Sequence, residues 1–161
     1  MIRRPSAAFL FSHPAHFIAL GFGSGLSPFA PGTVGTLLAI PLYDLAANWL
    51  DPAQLAVLLC LCFALGVWAC QITGNGLGIP DHSGMNWDEV VAFMFVLMLT
   101  PQGVAWRALA FFAFRCFDVV KPPPIRTLER RVKGGLGVMV DDVAAAFYTL
   151  LVLAVAKRLF I

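Results

Sequence analysis

Charged residues are scarce in this chain of 161 residues. Asp, Glu, Lys and Arg together form 12% of the sequence, about half of the roughly 25% that is typical of soluble domains. Apolar residues form 60%, and a domain of this length has too little interior to bury that much apolar surface. The composition therefore excludes a disordered chain, argues against an ordinary soluble enzyme and predicts contact with a lipid bilayer. The net charge of only +2 argues against nucleic-acid binding.

Cysteine pairs of the metal-binding kind are also missing. The four cysteines, Cys60, Cys62, Cys70 and Cys116, lie in apolar runs, and no C-x-x-C motif occurs. This pattern argues against a zinc site and against a disulfide framework. We expect all four to be small buried apolar residues.

Long apolar runs predict an all-α, multihelical integral membrane protein. The stretch 53–73 carries no charge and would be about 31 Å long as a helix, enough to cross a bilayer. The run 33–50 precedes it, and 143–161 is predicted to form a last apolar helix. Pro, Gln and Gly at 101–103 divide the run 90–120 into two shorter helices. The two helices are predicted to form a hairpin that dips into the membrane or packs within the protein.

Shorter segments are expected to lie at the membrane surface or to interrupt helices. The start of the chain, 1–20, is predicted to hold an interfacial helix, with its apolar part over 9–22. In residues 125–133, apolar residues fall on one helical face and basic residues on another, which predicts a short helix on the membrane surface. The glycine-rich stretches 74–76 and 134–137 predict breaks.

The few ionisable residues are crowded rather than spread. Six of the nine acidic residues fall within 81–89, 118 and 141–142, and six of the eleven basic residues fall within 115–133. Because the apolar pair 33–73 crosses out and back, the loops that carry these charges are expected to converge on one membrane face. Most Lys and Arg residues lie there, so the positive-inside tendency makes that face cytoplasmic. Lys157 and Arg158 would lie opposite, which counts against this orientation.

Charges of this kind predict a phosphate-handling site. Carboxylates without His or Cys partners suit Mg²⁺, and neighbouring Arg and Lys side chains suit phosphate oxygens. A helix that opens near Thr33, after 30–32, would offer N–H groups to an anion. No C-x5-R, D-x-D or S-G-H motif occurs, which argues against cysteine-dependent, aspartyl-phosphate and histidine-based phosphatases. Water activated by a metal and a carboxylate base is the simplest remaining route.

Structural explanations stay open for several residues. Asp141 or Asp142 could cap the last helix, Arg115 and Asp118 could form an ion pair at i and i+3, and His82 could be a solvated loop residue. An ion transporter or channel subunit would need carboxylates within the membrane, and Asp44 alone lies well inside an apolar run. The basic surface helix could also bind anionic headgroups without any chemistry.

Four short motifs resemble, in order, those of the phosphatidylglycerophosphatase A family. They comprise 23–25 with 30–36, 81–82 with 87–91, 114–125, and 134–143, and they span 21–146 of a single domain, 1–161. The resemblance implies a multihelical membrane enzyme that hydrolyses phosphatidylglycerophosphate to phosphatidylglycerol and phosphate with Mg²⁺. It also implies a place in the bacterial inner membrane, in phospholipid synthesis.

The resemblance further implies which residues form the site. The acidic motif positions are Asp81, Asp88, Glu89, Asp118, Asp141 and Asp142, and the phosphate-side positions are Thr33, Arg115, Lys121 and Arg126. Within this set we assign the metal to Asp88, Glu89, Asp141 and Asp142, with Asp81 or Asp118 as base or as an outer ligand. Ala92 and Ala146 stand where the family commonly has Gly, so close helix packing is expected to differ there.

Overall fold

The computed structural model of the chain describes residues 5–160, apart from the side chains of residues 129 and 160. The first four residues of the predicted segment 1–20 and the last residue of 143–161 lie outside this part. Two short helices, α1 (Ala7–Ser12) and α2 (Pro14–Ala19), precede a 3-10 segment (Gly21–Leu26). The longer elements are α3 (Pro31–Ala47), α4 (Pro52–Leu77), α5 (Trp87–Leu99), α6 (Val104–Val120), α7 (Ile125–Arg131) and α8 (Gly134–Phe160). No β-strand occurs within residues 5–160, which confirms the all-α prediction.

Helix α5 lies at the centre of the bundle. It contacts α3, α4, α6 and α8, and most of its side chains are buried, including Val90, Phe93 and Val96. A helix that is apolar all round is stable only when other elements cover every side. The surrounding helices therefore fix its first turn, which carries Asp88 and Glu89, at one end of the bundle.

Short connections make neighbouring long helices antiparallel. Residues 48–51 join α3 to α4, and 100–103 join α5 to α6. Helices α3, α5 and α8 consequently begin at the end of the bundle where α4 and α6 finish. This arrangement brings the charged loops and helix ends together around one cavity, as the sequence predicts.

The outer faces of the long helices are apolar. Helix α4 and the stretch Gly134–Leu159 of α8 are each long and apolar enough to cross a bilayer. Exposed side chains on them include Leu61 and Leu65 on α4, and Phe147 and Val155 on α8. Large apolar surfaces are unfavourable in water and favourable against lipid. This is the architecture of an all-α membrane protein.

Helices α5 and α6 form the predicted hairpin. Helix α5 has 13 residues and is about 20 Å long, which is shorter than the roughly 30 Å hydrocarbon core of a bilayer. Helix α6 ends at Val120, and the predicted short helix follows as α7, anchored by the fully buried Ile125. The helix is confirmed, and its position on a membrane surface stays a prediction.

The beginning of the chain differs from the single helix predicted over 9–22. His13 ends α1, and its Nδ1 accepts a hydrogen bond from the Ala15 N–H at the start of α2 (3.1 Å). Pro14 then occupies the first helical position, where the missing N–H is tolerated, whereas a proline inside a longer helix is not. Helix α2 packs against α4 and buries Ala19, so this segment is part of the fold's core.

Two glycine-rich stretches that predict breaks are helical. Helix α4 continues through 74–76 and ends at Leu77, where Gly78 adopts the left-handed conformation (φ 72°). The stretch 134–137 is the first turn of α8. A Cβ on Gly135 would lie 2.7 Å from the Gln71 backbone nitrogen and still closer to the Val67 carbonyl oxygen. The break after α4 therefore lies just beyond the predicted stretch, and the turn from α7 ends at Gly134, whose φ is positive (71°). The loop predicted over the rest of 134–137 is wrong, because Gly135 there permits close packing of α8 against α4.

The cysteine prediction is confirmed only in part. Cys70 is buried and Cys62 is half-buried, whereas Cys60 and Cys116 are exposed, and all four are free thiols. The prediction of burial is wrong for the exposed pair. Small apolar side chains are equally suited to an outward-facing position on a membrane helix.

Asp44 forms an ion pair with Arg107 at the end of the bundle opposite the charged cavity. The guanidinium donates to both carboxylate oxygens, at 2.6 and 2.9 Å, and links α3 to α6. The Asp44 side chain is 45% exposed, so the pair borders the surface rather than lining a path between helices. This removes the observation on which the transporter alternative depends.

We expect Gly135→Ala to lower the thermal unfolding temperature of the detergent-solubilised protein by about 3–10 °C. The added methyl group has to displace the α4 backbone, and overpacking of this kind costs about 1–3 kcal/mol. The matched control is Leu136→Ala at the exposed neighbouring position, which should stay within about 2 °C of the wild type. Equal losses in both variants would contradict the close α4–α8 contact.

Candidate active site

A cavity of about 230 Å³ opens where α3, α5 and α8 begin. The start of α3, the loop before α5, the first turn of α5, the end of α6 and the beginning of α8 border it. All six predicted acidic residues and two predicted cations line it: Asp81, Asp88, Glu89, Asp118, Asp141, Asp142, Arg115 and Lys121. The predicted convergence of these distant charges is confirmed, while the role of each residue stays a prediction.

Three of the acidic side chains form an inner group. Asp88, Glu89 and Asp142 each place one carboxylate oxygen within 4.8 Å of the other two. Among the described residues, one buried oxygen of each has no hydrogen-bond partner: Asp88 Oδ1, Glu89 Oε2 and Asp142 Oδ2. Leaving such atoms unpaired is costly. Three hard oxygen ligands in this arrangement fit Mg²⁺ or a similar divalent cation, which would pair with all three.

Burial changes the acidity of the two carboxyl groups on α5. It raises the pKa of Asp88 well above its usual value, and the neighbouring Glu89 adds to the increase. The pKa of Glu89 rises to about 8, because burial and the nearby Asp142 outweigh the attraction of Arg115. Both groups lie in the first turn of α5, where the helix dipole favours negative charge. A bound divalent cation would favour the ionised forms much more strongly.

Arg115 connects the inner group to the wall of the cavity. Its guanidinium donates a short hydrogen bond to Asp118, one turn away on α6, and lies 3.6 Å from Glu89 Oε1. It also donates to Thr36 Oγ1 on α3, at 3.5 Å. The structural ion pair considered for Arg115 and Asp118 therefore exists, and it holds a cation beside the inner carboxylates.

Lys121 is the second cation of the cavity. It follows α6 in the left-handed conformation (φ 46°), which costs a residue other than glycine about 1 kcal/mol. Its Nζ lies 3.1 Å from Asp141 Oδ2. Asp141 is thus an ion-pair partner, and the close carboxylate group found among the described residues does not include it. The structure pairs Asp141 with Lys121, and its predicted metal role stays a prediction.

Two predicted phosphate-binding side chains lie outside the cavity lining, as far as residues 5–160 show. The first turn of α3 presents Gly32 to the cavity, and Thr33 lies about 100° further round the helix. Arg126 is exposed on α7, and its guanidinium donates to the Val120 carbonyl oxygen at the end of α6 (3.4 Å). The structure therefore does not support a direct phosphate contact for Thr33 or Arg126.

Asn86 supports the elements that form the site, although no motif indicates it. It is fully buried, and its Nδ2 donates to Ser24 Oγ and to the Pro31 carbonyl oxygen, both at 2.9 Å. Its backbone N–H donates to the Ala19 carbonyl oxygen (3.0 Å). Asn86 therefore ties the N-terminal segment and the start of α3 to the start of α5. The sequence feature that could have indicated this role is a polar amide side chain two residues before Asp88 in a chain that is otherwise apolar.

Gly32 provides space for the ion pair at the start of α3. A Cβ at this position would lie 3.1 Å from both terminal nitrogens of Arg115 and closer still to Glu89 Oε1. A residue with a side chain would therefore displace Glu89 and Arg115 from their contact. The Ala-Pro-Gly stretch at 30–32 thus matters for space as well as for the N–H groups that the sequence predicts there.

Comparison with known proteins gives the family. The family model described as phosphatidylglycerophosphatase A matches residues 17–157. The chain belongs to the phosphatidylglycerophosphatase A family. It is 43% identical to phosphatidylglycerophosphatase A of Escherichia coli over 83% of this chain and 78% of that protein. For the Haemophilus influenzae protein of the same name, the identity is 40% over 87% of this chain and 86% of the relative.

A further relative carries a different name. A Bacteroides thetaiotaomicron protein, named as a candidate phosphatidylinositol-3-phosphatase, is 42% identical over 87% of this chain and 91% of its own length. No solved structure matches the chain. The sequence similarity therefore extends over nearly the whole chain to relatives that are named for two different lipid phosphates.

The two alanines that depart from the phosphatidylglycerophosphatase A pattern lie inside the bundle. Ala92 on α5 and Ala146 on α8 are both buried, and these helices contact each other. Neither is among the described residues that line the cavity. The expected change in helix packing is therefore placed in the core, and the acidic cluster keeps all six of its members.

We expect Asn86→Ala to lower the thermal unfolding temperature of the solubilised protein by about 5 °C or more. The change leaves the Pro31 carbonyl and the Ser24 hydroxyl without this buried partner, at about 1–3 kcal/mol for each unpaired group. The control is Asn75→Ala, because Asn75 is exposed and accepts only a long hydrogen bond from Gln71 (3.3 Å). An Asn86→Ala protein as stable as the control would refute the bridging role.

Proposed function

We propose that the chain is a Mg²⁺-dependent lipid phosphatase that hydrolyses phosphatidylglycerophosphate to phosphatidylglycerol and phosphate. One observation carries the proposal: three buried carboxylate oxygens, partnerless among the described residues, lie in a cavity that Arg115 and Lys121 also line. A divalent-cation site beside two fixed cations suits a phosphate monoester. Family membership, together with the substrate in the names of the Escherichia and Haemophilus relatives, supports this choice of ester.

Asp88, Glu89 and Asp142 are the residues that would hold the Mg²⁺. Their oxygens are hard ligands that already lie close together, and Mg²⁺ usually keeps several waters beside its carboxylate ligands. When bound, the ion would lower the pKa of water and withdraw charge from the phosphate oxygens. The burial of these carboxylates limits their movement, so the site is organised before the substrate arrives.

Arg115 and Lys121 would bind the phosphate oxygens and stabilise the charge on them during reaction. Asp118 and Asp141 hold these two cations at the cavity through ion pairs. We therefore propose that Asp118 and Asp141 are positioning residues, which keep the cations in place when no phosphate is bound.

We propose Asp81 as the general base. It lines the cavity from the loop before α5 and is exposed there. In the reaction Asp81 takes a proton from water, and the water oxygen forms a bond to phosphorus. The bond from phosphorus to the glycerol oxygen breaks, and that oxygen takes up a proton to become a hydroxyl group of phosphatidylglycerol.

The proposal includes a multi-pass position in the bacterial inner membrane, with the cavity facing the cytoplasm. Helices α4 and α8 are long and apolar enough to span the bilayer. Six of the eleven Lys and Arg residues lie within 115–133, around the end of α6 that borders the cavity. An excess of Lys and Arg is typical of the cytoplasmic side.

Another lipid phosphate is the second candidate substrate, because the Bacteroides relative is named for an inositol lipid. The carboxylate group and the two cations would serve any phosphate monoester on a lipid headgroup. Selection between headgroups must therefore come from other residues around the cavity.

Purified protein in dodecyl maltoside should release phosphate from phosphatidylglycerophosphate when Mg²⁺ is present. EDTA should reduce the rate to background, because the three inner carboxylates then lose the cation that they require, and added Mg²⁺ should restore it. Free phosphate is measured colorimetrically, and the lipid product by thin-layer chromatography. Parallel assays use phosphatidylinositol 3-phosphate and phosphatidic acid.

Each contrary outcome of this assay has a distinct meaning. A folded protein that is equally active in EDTA would remove the metal from the mechanism. Faster release from phosphatidylinositol 3-phosphate would transfer the proposal to that lipid. Binding of phosphatidylglycerophosphate without release of phosphate from any lipid would favour a non-catalytic headgroup-binding protein.

Glu89→Gln and Asp142→Asn should each lower kcat about a hundredfold or more, because each removes a charged ligand from the inner group. The rise in unfolding temperature that Mg²⁺ gives the wild type should also be lost. In metal-free buffer near neutral pH both variants should keep about the stability of the wild type, because burial already favours the neutral form of such crowded carboxyl groups and an amide has nearly the same shape.

The control for these variants is Asp51→Asn. Asp51 caps α4 through Oδ1, which accepts from the Ala53 and Gln54 N–H groups at 2.9 Å, and asparagine caps helices equally well. Turnover and the Mg²⁺ response should therefore be unchanged. Near-normal turnover in Glu89→Gln and Asp142→Asn would contradict the assignment of the inner group.

A further inference from the structure

A second cavity of about 190 Å³ adjoins the active-site cavity. The segments 25–28 and 82–84 form its walls, with Pro5 at one side, and it shares Pro31 and Ser83 with the first cavity. Its lining differs in charge from that of its neighbour. Six carboxylates line the first cavity, whereas no acidic residue among residues 5–160 lines the second. An additional anionic group of a bound molecule would therefore meet no carboxylate there.

His82 lines this cavity, and a hydrogen bond to its ring identifies which ring nitrogen can donate. The residue is 6% exposed, and Nδ1 accepts a hydrogen bond from the Gly84 N–H (2.9 Å). An N–H can only donate, so Nδ1 carries no proton and the proton of the neutral ring is on Nε2. Within the described part of the chain, Nε2 has no hydrogen-bond partner. His82, which lines the cavity, thus has an N–H on Nε2 that no described residue uses.

We propose that this second cavity binds the phosphodiester of the lipid substrate while the first holds its terminal phosphate monoester. The inference rests on the proposed function. In phosphatidylglycerophosphate the two phosphates are joined through one three-carbon glycerol unit, and two cavities with a common wall at Pro31 and Ser83 suit this short separation. The Nε2–H of His82 donates to a diester oxygen.

The environment of the second cavity also suits a lipid. Leu26 and Pro28 line it, and the next residue, Phe29, is 82% exposed. The diester is the phosphate that carries the diacylglycerol, so an apolar border on this side fits the orientation proposed. His82 is therefore a specificity residue that selects lipids with a diester behind the scissile phosphate.

The test measures the binding of a diester that has no phosphate monoester. Dihexanoyl phosphatidylglycerol, below its micelle concentration, is titrated calorimetrically into the full-length protein in dodecyl maltoside. His82→Asn keeps a side-chain oxygen to accept the Gly84 N–H, and its shorter amide leaves no N–H at the Nε2 position. It is therefore donor-free at that position, and we call it the donor-free variant. The dissociation constant should rise about ten- to a hundredfold, which is the usual effect of losing a hydrogen bond to a charged group.

Two matched variants locate the effect. His13 likewise uses Nδ1 to accept a backbone N–H, and it lies outside both cavities, so His13→Asn should bind the diester as the wild type does. His82→Gln retains an N–H near the Nε2 position and should keep most of the affinity. If His82→Asn does not fold, His82→Met replaces it as the donor-free variant. The test then compares His82→Met with His82→Gln.

A different cavity is the main competitor for the diester. It is lined by Lys133, and it also adjoins the active site through Asp81 and Asp141. If Lys133→Gln weakens diester binding and the donor-free His82 variant does not, the proposal is overturned. Unchanged affinity in the donor-free variant overturns it as well.

Turnover separates this proposal from the proposed function. The donor-free variant should raise KM for phosphatidylglycerophosphate and leave inhibition by inorganic phosphate unchanged, because that ion needs only the first cavity. A wild type that binds the diester through His82 but releases no phosphate would remove the proposed function and keep the subsite. A wild type that hydrolyses the lipid with no dependence on His82 would do the reverse.

Discussion

Burial of several carboxylates at one end of an apolar bundle is the constraint on which the site depends. Asp88 and Glu89 have raised pKa values because they are desolvated and lie close to other acidic groups, and such charges are stable only beside positive partners. The chain meets this need with Arg115 next to Glu89 and with Lys121 in a left-handed conformation at the end of α6. Gly32 leaves the space in which these groups meet.

The order and type of most helices follow from local signals, whereas their contacts do not. Proline, glycine and apolar runs act within a few residues, so the α5–α6 hairpin is predicted with its break at 101–103. The role of a glycine depends on residues far away in sequence. A glycine stands at position 135 within a helix because the α4 backbone at Val67 leaves no space for a side chain. Neither residue indicates the other in the sequence.

Membership of the charged cavity is more predictable than the role of each member. In an apolar chain, ionisable residues gather where they can be paired or hydrated. The six acidic residues predicted for the site are accordingly found together at the cavity. Individual roles depend on which groups each side chain meets across the cavity, and those groups lie far away in sequence. Asp141 meets Lys121, while Asp142 joins the inner group with Asp88 and Glu89. Asn86 acts through buried hydrogen bonds, which have no sequence motif.

Asn86 also couples two parts of the chain that have different roles. Through Ala19, Ser24 and Pro31 it links the N-terminal segment, which over residues 5–30 brings no charged side chain to the cavity, with the turn that carries the acidic pair. Coupling of this kind is reciprocal, so a ligand that stabilises the first turn of α5 also stabilises the N-terminal segment. The two form one cooperative unit. Amide hydrogen exchange in α2 should therefore report occupancy of a cavity that α2 does not line.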